Sequence, residues 1–398
     1  MARFVFIVPP FTGHINPTLS LGKQLLQAGH KVAWISLTDN FNGQIPDGGE
    51  LLLIQSGDDG TSGKEYFDQI TEKGHTAFGI ESIKFLYEDV LIPMSRFMFP
   101  GICKFIDSWR ADVVITDHQV YAGAIAAVKK RIPYVTSVTA PTALKAMKDM
   151  PKILEWETEQ IVGLQQELGI AGNSSLACSE LLTLVFTSKE FLGDETYPEY
   201  YQFVGPITVG RPVAFSFNWA RFQNTRGPRV LVSIGTTFDM QYKKDFFAKV
   251  IEALGDEPMT VVVVSEEKLF PSWPKNFIVQ PRIPQLELLK YLDAVVCHGG
   301  HNTVCESLTH GLPLITIPIA YDQSHVSSQV AESGCGIRLN FKRFKATQLK
   351  TAVQDILNNP SYKEASKFIS NSFTAAGGEK RAVELLEDVV PQHTSVYG

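Results

Sequence analysis

At 398 residues the chain is too long for one ordinary hydrophobic core and long enough for two domains. With 44% hydrophobic and 20% charged residues it reads as a folded globular protein, neither disordered nor membrane-spanning. A net charge of −6, with no Lys/Arg run interleaved with aromatics, argues against nucleic acid as a partner. The N-terminus MARFVFIVPP carries one basic residue and an apolar run too short for a signal peptide, and no stretch approaches the roughly 18 apolar residues of a membrane helix. The expectation is therefore a cytoplasmic protein without a membrane span. Five cysteines, an odd number without CxxC spacing, predict neither a disulfide framework nor a zinc site.

In chain order, the apolar run Phe4–Val8, a loop PPFTGHINP, an amphipathic stretch from Pro17 to Ala28 and the run Val32–Ile35 predict a strand, helix, strand unit. Pro17 suits a first helical turn and Gly29 a C-terminal cap. Short apolar runs recur at Leu51–Ile54, Val113–Thr116, Tyr134–Val138 and Leu182–Phe186, and SGDDGTSG at 56–63 reads as an exposed mobile loop. Glycines and prolines cluster at Gly205–Pro212 and a turn-rich group follows at Asn224–Pro228, together the linker candidate, after which strands resume at Val230–Ile234, Thr260–Val264, Phe277–Val279, Ala294–Cys297 and Leu314–Ile317. Arg381–Val389 predicts a final helix, followed by a loosely attached tail QHTSVYG. Strand and helix alternation of this kind predicts an α/β fold with parallel sheets covered on both faces.

The densest chemistry lies between Pro281 and Gln323. A strand ending at Cys297 feeds His298-Gly299-Gly300-His301, with a helix expected from about Asn302. Backbone N–H groups and the positive helix end there suit a diphosphate, and the glycines allow close approach. His298, Asn302 and Thr303 add side-chain donors, and Glu306, four residues beyond Asn302, is placed for ribose hydroxyls. Ser233-Ile234-Gly235-Thr236-Thr237 after another strand offers a second phosphate-wrapping turn. Taken singly, an HGG turn is an ordinary βα corner; the ordered set is what points to a ligand.

In the first half, His14 in GHINP falls at the first strand-to-helix turn, where an imidazole near neutral pKa can take a proton from an alcohol. Asp117, at the end of DVVIT, can bond the far ring nitrogen. The plain alternatives are a helix-capping His14, a turn-opening Asp117, and Asp112 in its place, although Asp112 begins its strand and should point away. His118 and His301 read as surface or acceptor-site residues.

Pro284-Gln285, His298, Gly300, Asn302-Thr303, Glu306, Gly311, Pro313 and Asp322-Gln323 together resemble the donor-binding signature of the UDP-glycosyltransferase superfamily (glycosyltransferase family 1), in its bacterial macrolide-glycosyltransferase-like branch. The resemblance covers nearly the whole chain. It implies the GT-B fold: two Rossmann-like domains with parallel sheets facing across a cleft, 1–210 binding acceptor and holding the base, 225–380 binding nucleotide sugar, and 381–398 a C-terminal helix and tail that returns to the first domain. It implies donor contacts at Arg282, Ile283, Gln285, His298, Gly300, Asn302, Thr303, Glu306, Thr236, Thr237, Asp322 and Gln323, with the last two suggesting UDP-glucose. The His14-Asp117 pair matches the family's catalytic dyad. Arg282 departs from the pattern, which has a base-stacking aromatic there; a guanidinium plane can also stack.

The expected reaction is metal-independent, inverting transfer of glucose to a small hydrophobic natural product, with no cofactor beyond the UDP-sugar co-substrate. Aromatic and Met residues including Phe78, Phe85 and Met147 offer an apolar acceptor lining, with Phe97, Phe99 and Trp156 nearby in sequence. The rival readings are a nucleotide-sugar epimerase and a non-catalytic nucleotide-sugar-binding protein. Neither the acceptor nor the oligomeric state is legible in the residues.

Overall fold

The computed structural model describes residues 1–55, 62–63, 65–66, 80–141, 144, 150–193, 196–208, 215–235, 240–320 and 322–391. The loop at 56–61 and the tail at 392–398 lie outside these. The chain divides into two compact units, Met1–Ser188 with Glu195–Arg211 and Ala376–Gly398, and Lys189–Asp194 with Pro212–Ala375.

The first unit is built on a seven-stranded sheet: β1 Arg3–Ile7, β2 Lys31–Ser36, β3 Glu50–Leu53, β4 Val113–Asp117, β5 Tyr134–Val138, β6 Thr183–Val185 and β7 Tyr201–Phe203. Its order is β3-β2-β1-β4-β5-β6-β7, and every neighbour pair is parallel. The second carries β8 Arg229–Ser233, β9 Thr260–Val264, β10 Phe277–Gln280, β11 Ala294–Cys297, β12 Leu314–Thr316 and β13 Gly336–Arg338, in the order β10-β9-β8-β11-β12-β13, again all parallel. Strand β7 and strand β13, three residues each at a sheet edge, are absent from the sequence reading. Their residues are half-exposed or mixed, so they lack the apolar run that marks the inner strands.

Alternation along each inner strand sends side chains to opposite faces. In β1, Phe4 and Phe6 join a cluster with Ile15, Leu19 and Leu25, whereas Val5 and Ile7 join Met98, Ile102 and Ile125 on the other side. In β8, Val230 and Val232 face Phe247 and Val353, and Leu231 faces Val304 and Val326. Both faces are therefore apolar, as parallel strands flanked by helices require.

The C-terminal helix Gly378–Val389 belongs to the first unit: Ala382 and Leu386 are buried in the Phe4 cluster, the Gly378 N–H donates to Val204 O at 2.8 Å, and His30 Nε2 lies 2.9 Å from Glu387 Oε1. It starts at Gly378, ahead of the expected Arg381.

A second correction bears on the site. Helix α1 spans Thr12–Gln27, so the residues expected to form a loop before Pro17 are its first turn, with His14 N and Ile15 N bonded to Phe11 O. Pro17 sits inside the helix. Because a proline lacks only its own N–H and disturbs the carbonyl four residues earlier, one sitting this near the N-terminus disrupts little of the hydrogen-bond ladder.

Helix α2, Tyr121–Lys130, is seated tightly on β4, since a Cβ at Gly123 would lie 2.2 Å from Thr116 Oγ1. In helix α3, Pro151–Glu167, a Cβ at Gly163 would meet nothing within 4 Å. Gly123→Ala is expected to destabilise the protein by about 1–3 kcal/mol through overpacking, and Gly163→Ala to stabilise it by about 0.4–1 kcal/mol. Urea denaturation of the two variants checks both signs.

Candidate functional site

In each sheet the order reverses beside a central strand, at β1/β4 and at β8/β11. Loops leaving those neighbours run to opposite faces and leave a crevice at the strands' carboxyl ends, the usual ligand position in open α/β sheets. Of the residues singled out from the sequence, His14, Asp117 and His298 fall at these two points.

In the first unit, α1 follows β1 and carries His14, β4 ends on Asp117, and Thr139 directly follows β5. His14 Nδ1 lies 3.0 and 3.1 Å from the two Asp117 carboxylate oxygens and 2.6 Å from Thr139 Oγ1. The Thr139 hydroxyl donates to Asp117 Oδ2 at 2.8 Å, and Gln119 N donates to Asp117 Oδ1 at 2.9 Å. With its one hydrogen spent on Asp117, Thr139 can only accept from His14, so the imidazole proton is held on Nδ1 and Nε2 carries the lone pair.

Asp117 is fully buried. Burial opposes its ionisation, but the imidazoles of His14 and His118 outweigh that and hold the carboxyl well below the usual carboxylate range. Asp112 occupies the opposite end of the strand, accepting from Arg3 N at 2.8 Å, and takes no part in this cluster.

His118, expected at the surface or an acceptor site, is largely buried rather than at the surface. Its Nδ1 lies 3.4 Å from Asp117 Oδ1, and its ring is near-parallel to that of His14 at 5.7 Å. His14, Asp117 and His118 present ligand atoms within 4.8 Å of one another, a spacing that could hold a metal ion. The Asp117 oxygens, however, already accept from His14, Thr139 and Gln119. Thr139 escaped the sequence reading; its only signal was a small hydroxyl residue directly after a strand neighbouring that of Asp117.

In the second unit, helix α4, His301–Thr309, begins beyond β11 with Gly300 as its N-cap, a residue with no side chain to occupy the first-turn N–H groups. Asn302 and Thr303 lie in that first turn. His298 is wedged between two glycines: a Cβ at Gly300 would lie 2.6 Å from its Nε2, and one at Gly235 would lie 3.2 Å from its Cε1. Gly299 has φ +82°, and a Cβ there would lie 2.4 Å from Ser327 Oγ. The loop after β8, the loop after β11 and helix α5, Gln323–Glu332, are thus packed together.

Burial pushes the His298 imidazole down to about 4 against a hydrogen bond with the Ser233 backbone, so at neutral pH it acts as an uncharged donor.

Gln285 Nε2 donates to Glu306 Oε2 at 2.6 Å, which joins two of the sequence candidates; Glu306 is buried. Ile283 is also buried. Exposed Arg282 lies over the Phe215 ring at 5.4 Å. Gln323 Oε1 accepts from Ile319 N and Ala320 N at 2.9 and 3.0 Å, so its amide NH2 is the end left to meet a ligand. Asp322 is the N-cap of α5.

His301, read from sequence as a surface or acceptor-site residue, is buried rather than at the surface, with Nε2 3.4 Å from Cys305 Sγ, one helical turn on. Phe85, Phe97, Phe99 and Trp156 lie half-buried against the first unit's core. Thr236, Thr237, Phe78 and Met147 lie outside the described residues.

Residues 196–373 match the family model for UDP-glucoronosyl and UDP-glucosyl transferases. The chain is 28% identical to NDP-glycosyltransferase YjiC of Bacillus subtilis over 397 residues, 95% of each chain. It is 24% identical to demethyllactenocin mycarosyltransferase of Streptomyces fradiae, covering 98% of this chain and 87% of that one. Among solved structures it is similar in fold to the calicheamicin glycosyltransferase CalG4, with a TM-score of 0.79, 21% identity and 99% of each chain covered. No described helix is long and apolar enough to cross a membrane.

The state of His298 carries a stability consequence. The unfolded ring binds its proton near 6.5 and the folded one near 4, so between these values the unfolded state holds the extra proton. The contribution is complete above pH 6.5 and is lost as pH falls toward 4; that gap corresponds to about 3 kcal/mol. Denaturation free energies at pH 7 and 4.5 should fall more steeply for the wild type than for His298→Gln, by most of this amount.

Proposed function

We propose that this chain, which belongs to the UDP-glycosyltransferase superfamily and transfers a sugar from a nucleoside-diphosphate donor, is an inverting enzyme that moves glucose from UDP-glucose to a hydroxyl of a small hydrophobic natural product. The observation that carries the reading is His14, protonated on Nδ1 by its contacts with buried Asp117 and Thr139, which puts the ring's lone pair on Nε2.

The acceptor hydroxyl gives its proton to His14 Nε2 as its oxygen attacks the anomeric carbon, and the UDP oxygen leaves with the bonding pair from the opposite face. The new imidazolium is stabilised by the Asp117 carboxylate, which stays ionised throughout. A single displacement of this kind converts an α-linked donor into a β-glycoside.

On the donor side, the N-terminus of α4, neutral His298, Asn302 and Thr303 would meet the diphosphate, and charge developing on it would be held by preorganised donors. Glu306, oriented by Gln285, would accept from the ribose hydroxyls. Arg282 and Ile283 would contact the base, Arg282 through its guanidinium plane. Thr236 and Thr237 would add phosphate contacts. Asp322 would accept from sugar hydroxyls, and Gln323 would donate to one through its NH2 group, its oxygen being bonded to backbone.

The natural-product acceptor follows the names of the relatives, which include the mycarosyltransferase and the calicheamicin enzyme.

His14→Ala should abolish transfer with UDP affinity by calorimetry almost unchanged. Asp117→Asn should lower kcat by about a thousandfold or more, because the wrong imidazole tautomer is then favoured. Proton NMR of the product should show a β linkage. Loss of UDP affinity in His14→Ala with transfer intact, or a retained α linkage, overturns the assignment.

A further inference from the structure

The side chains around His14 have a second use, on which proton transfer does not draw. Among the described residues, His14, Asp117 and His118 are the one group of three His, Cys, Asp or Glu side chains whose ligand atoms all lie within 4.8 Å of one another. They come from α1, from the last residue of β4 and from the residue after it, so the core that seats those two elements also sets their spacing. Asp117 Oδ1 lies 3.0 Å from His14 Nδ1 and 3.4 Å from His118 Nδ1. A tetrahedral zinc ion with its usual bond lengths holds neighbouring ligand atoms about 3.3 Å apart, so both contacts already have the length of a zinc site's edge.

Each of the three has a lone pair to give. His118 keeps 11% of its side chain exposed, and neither of its ring nitrogens has a hydrogen-bond partner, which is costly unless something meets them. Thr139 and Gln119 N bond the two Asp117 oxygens separately, but a carboxylate offers about four lone-pair positions, so Oδ1 retains one for a metal. His14, 15% exposed, brings the rim of the cluster to solvent.

We infer that His14, Asp117 and His118 form an inhibitory site for a zinc-type divalent ion, which enters between the two Nδ1 atoms and Asp117 Oδ1 and disables the base. This rests on the transfer reading above, in which His14 Nε2 takes the acceptor's proton.

Two imidazole nitrogens and one carboxylate oxygen favour zinc, cobalt or nickel over magnesium and calcium, which prefer shells of oxygen alone. The ion takes the His14 Nδ1 lone pair whichever tautomer precedes it, and the ring's one hydrogen then sits on Nε2. From the Nδ1–H form that hydrogen passes to Nε2 through solvent, and no proton is gained or lost. An imidazole with N–H at Nε2 has no lone pair there for an acceptor hydroxyl, so the loaded chain cannot deprotonate acceptor. UDP binding, which draws on residues of the second unit, is unaffected.

The test begins with uptake of Zn2+ by the full chain, measured by competition with a chromophoric chelator, which needs no activity. One ion per chain should bind, and Mg2+ and Ca2+ should not compete. His118→Phe, His118→Asn and His14→Ala should each weaken binding by roughly tenfold or more, with melting curves showing which variants are folded. Cobalt in place of zinc should give the intense visible absorption of a four-coordinate ion, and that band should be lost in the same variants.

UDP release from UDP-glucose with a panel of small phenols is then followed with and without Zn2+. Zinc should stop it, a chelator should restore it, and UDP affinity by calorimetry should be unchanged. Uptake no greater than that of the folded His14→Ala/His118→Phe double variant overturns the inference and leaves the parent reading standing. So does inhibition undiminished in a folded, active His118 variant, as zinc captured by the donor's diphosphate would produce. Zinc bound at these residues with turnover intact, or no turnover in metal-free protein, overturns both.

Discussion

Within each unit, everything of chemical interest depends on one topological constraint: a parallel sheet whose strand order reverses beside its first strand. Parallel neighbours must be joined by helices that cross over one face, and where the order reverses the crossovers go to opposite faces. The gap left at β1/β4 receives His14 and Asp117, and the one at β8/β11 receives the loops of Gly235 and His298. Strands β1 and β8 are buried on both faces, so the ends that deliver these side chains are held by two apolar layers each. Rigidity at the site is a by-product of the core.

Burial then acts on the two units in opposite ways. Asp117 is removed from water yet kept ionised, since two imidazoles outweigh the desolvation that opposes its charge. His298 has no such counter-charge, and desolvation leaves it neutral. The first arrangement suits a group that must steady a transient imidazolium. The second suits a hydrogen-bond donor that meets a phosphate without itself titrating near neutral pH. Glycines make the second possible, since Cβ atoms at Gly235 or Gly300 would press into the His298 ring.

Polar side chains along the carboxyl end of the second sheet largely orient one another. Gln285 holds Glu306, and Gln323 spends its oxygen on the backbone of the loop that precedes it. Such contacts lock rotamers before a ligand arrives, which lowers the ordering cost of binding. In the first unit, Thr139 has the same role for His14, and His118 is the exception that keeps unused capacity.

The sequence alone determined the inner strands, the parallel α/β class and the two clusters of chemistry, because long apolar runs and glycine-bearing βα corners leave a local signal. It also placed Asp112 at the far end of β4 from Asp117, since the two lie at opposite ends of one run. Edge strands β7 and β13 left no such signal: each is three residues long and depends on a neighbour's hydrogen bonds rather than on its own pattern. The first turn of α1 was hidden because Pro17 looked like a helix start. Only the tertiary structure decided that Thr139 meets His14, that Gln285 meets Glu306, and that His118 and His301 are buried. Those contacts join residues far apart in the chain through side-chain direction, and a single sequence carries no record of which distant atoms come within a hydrogen bond of each other.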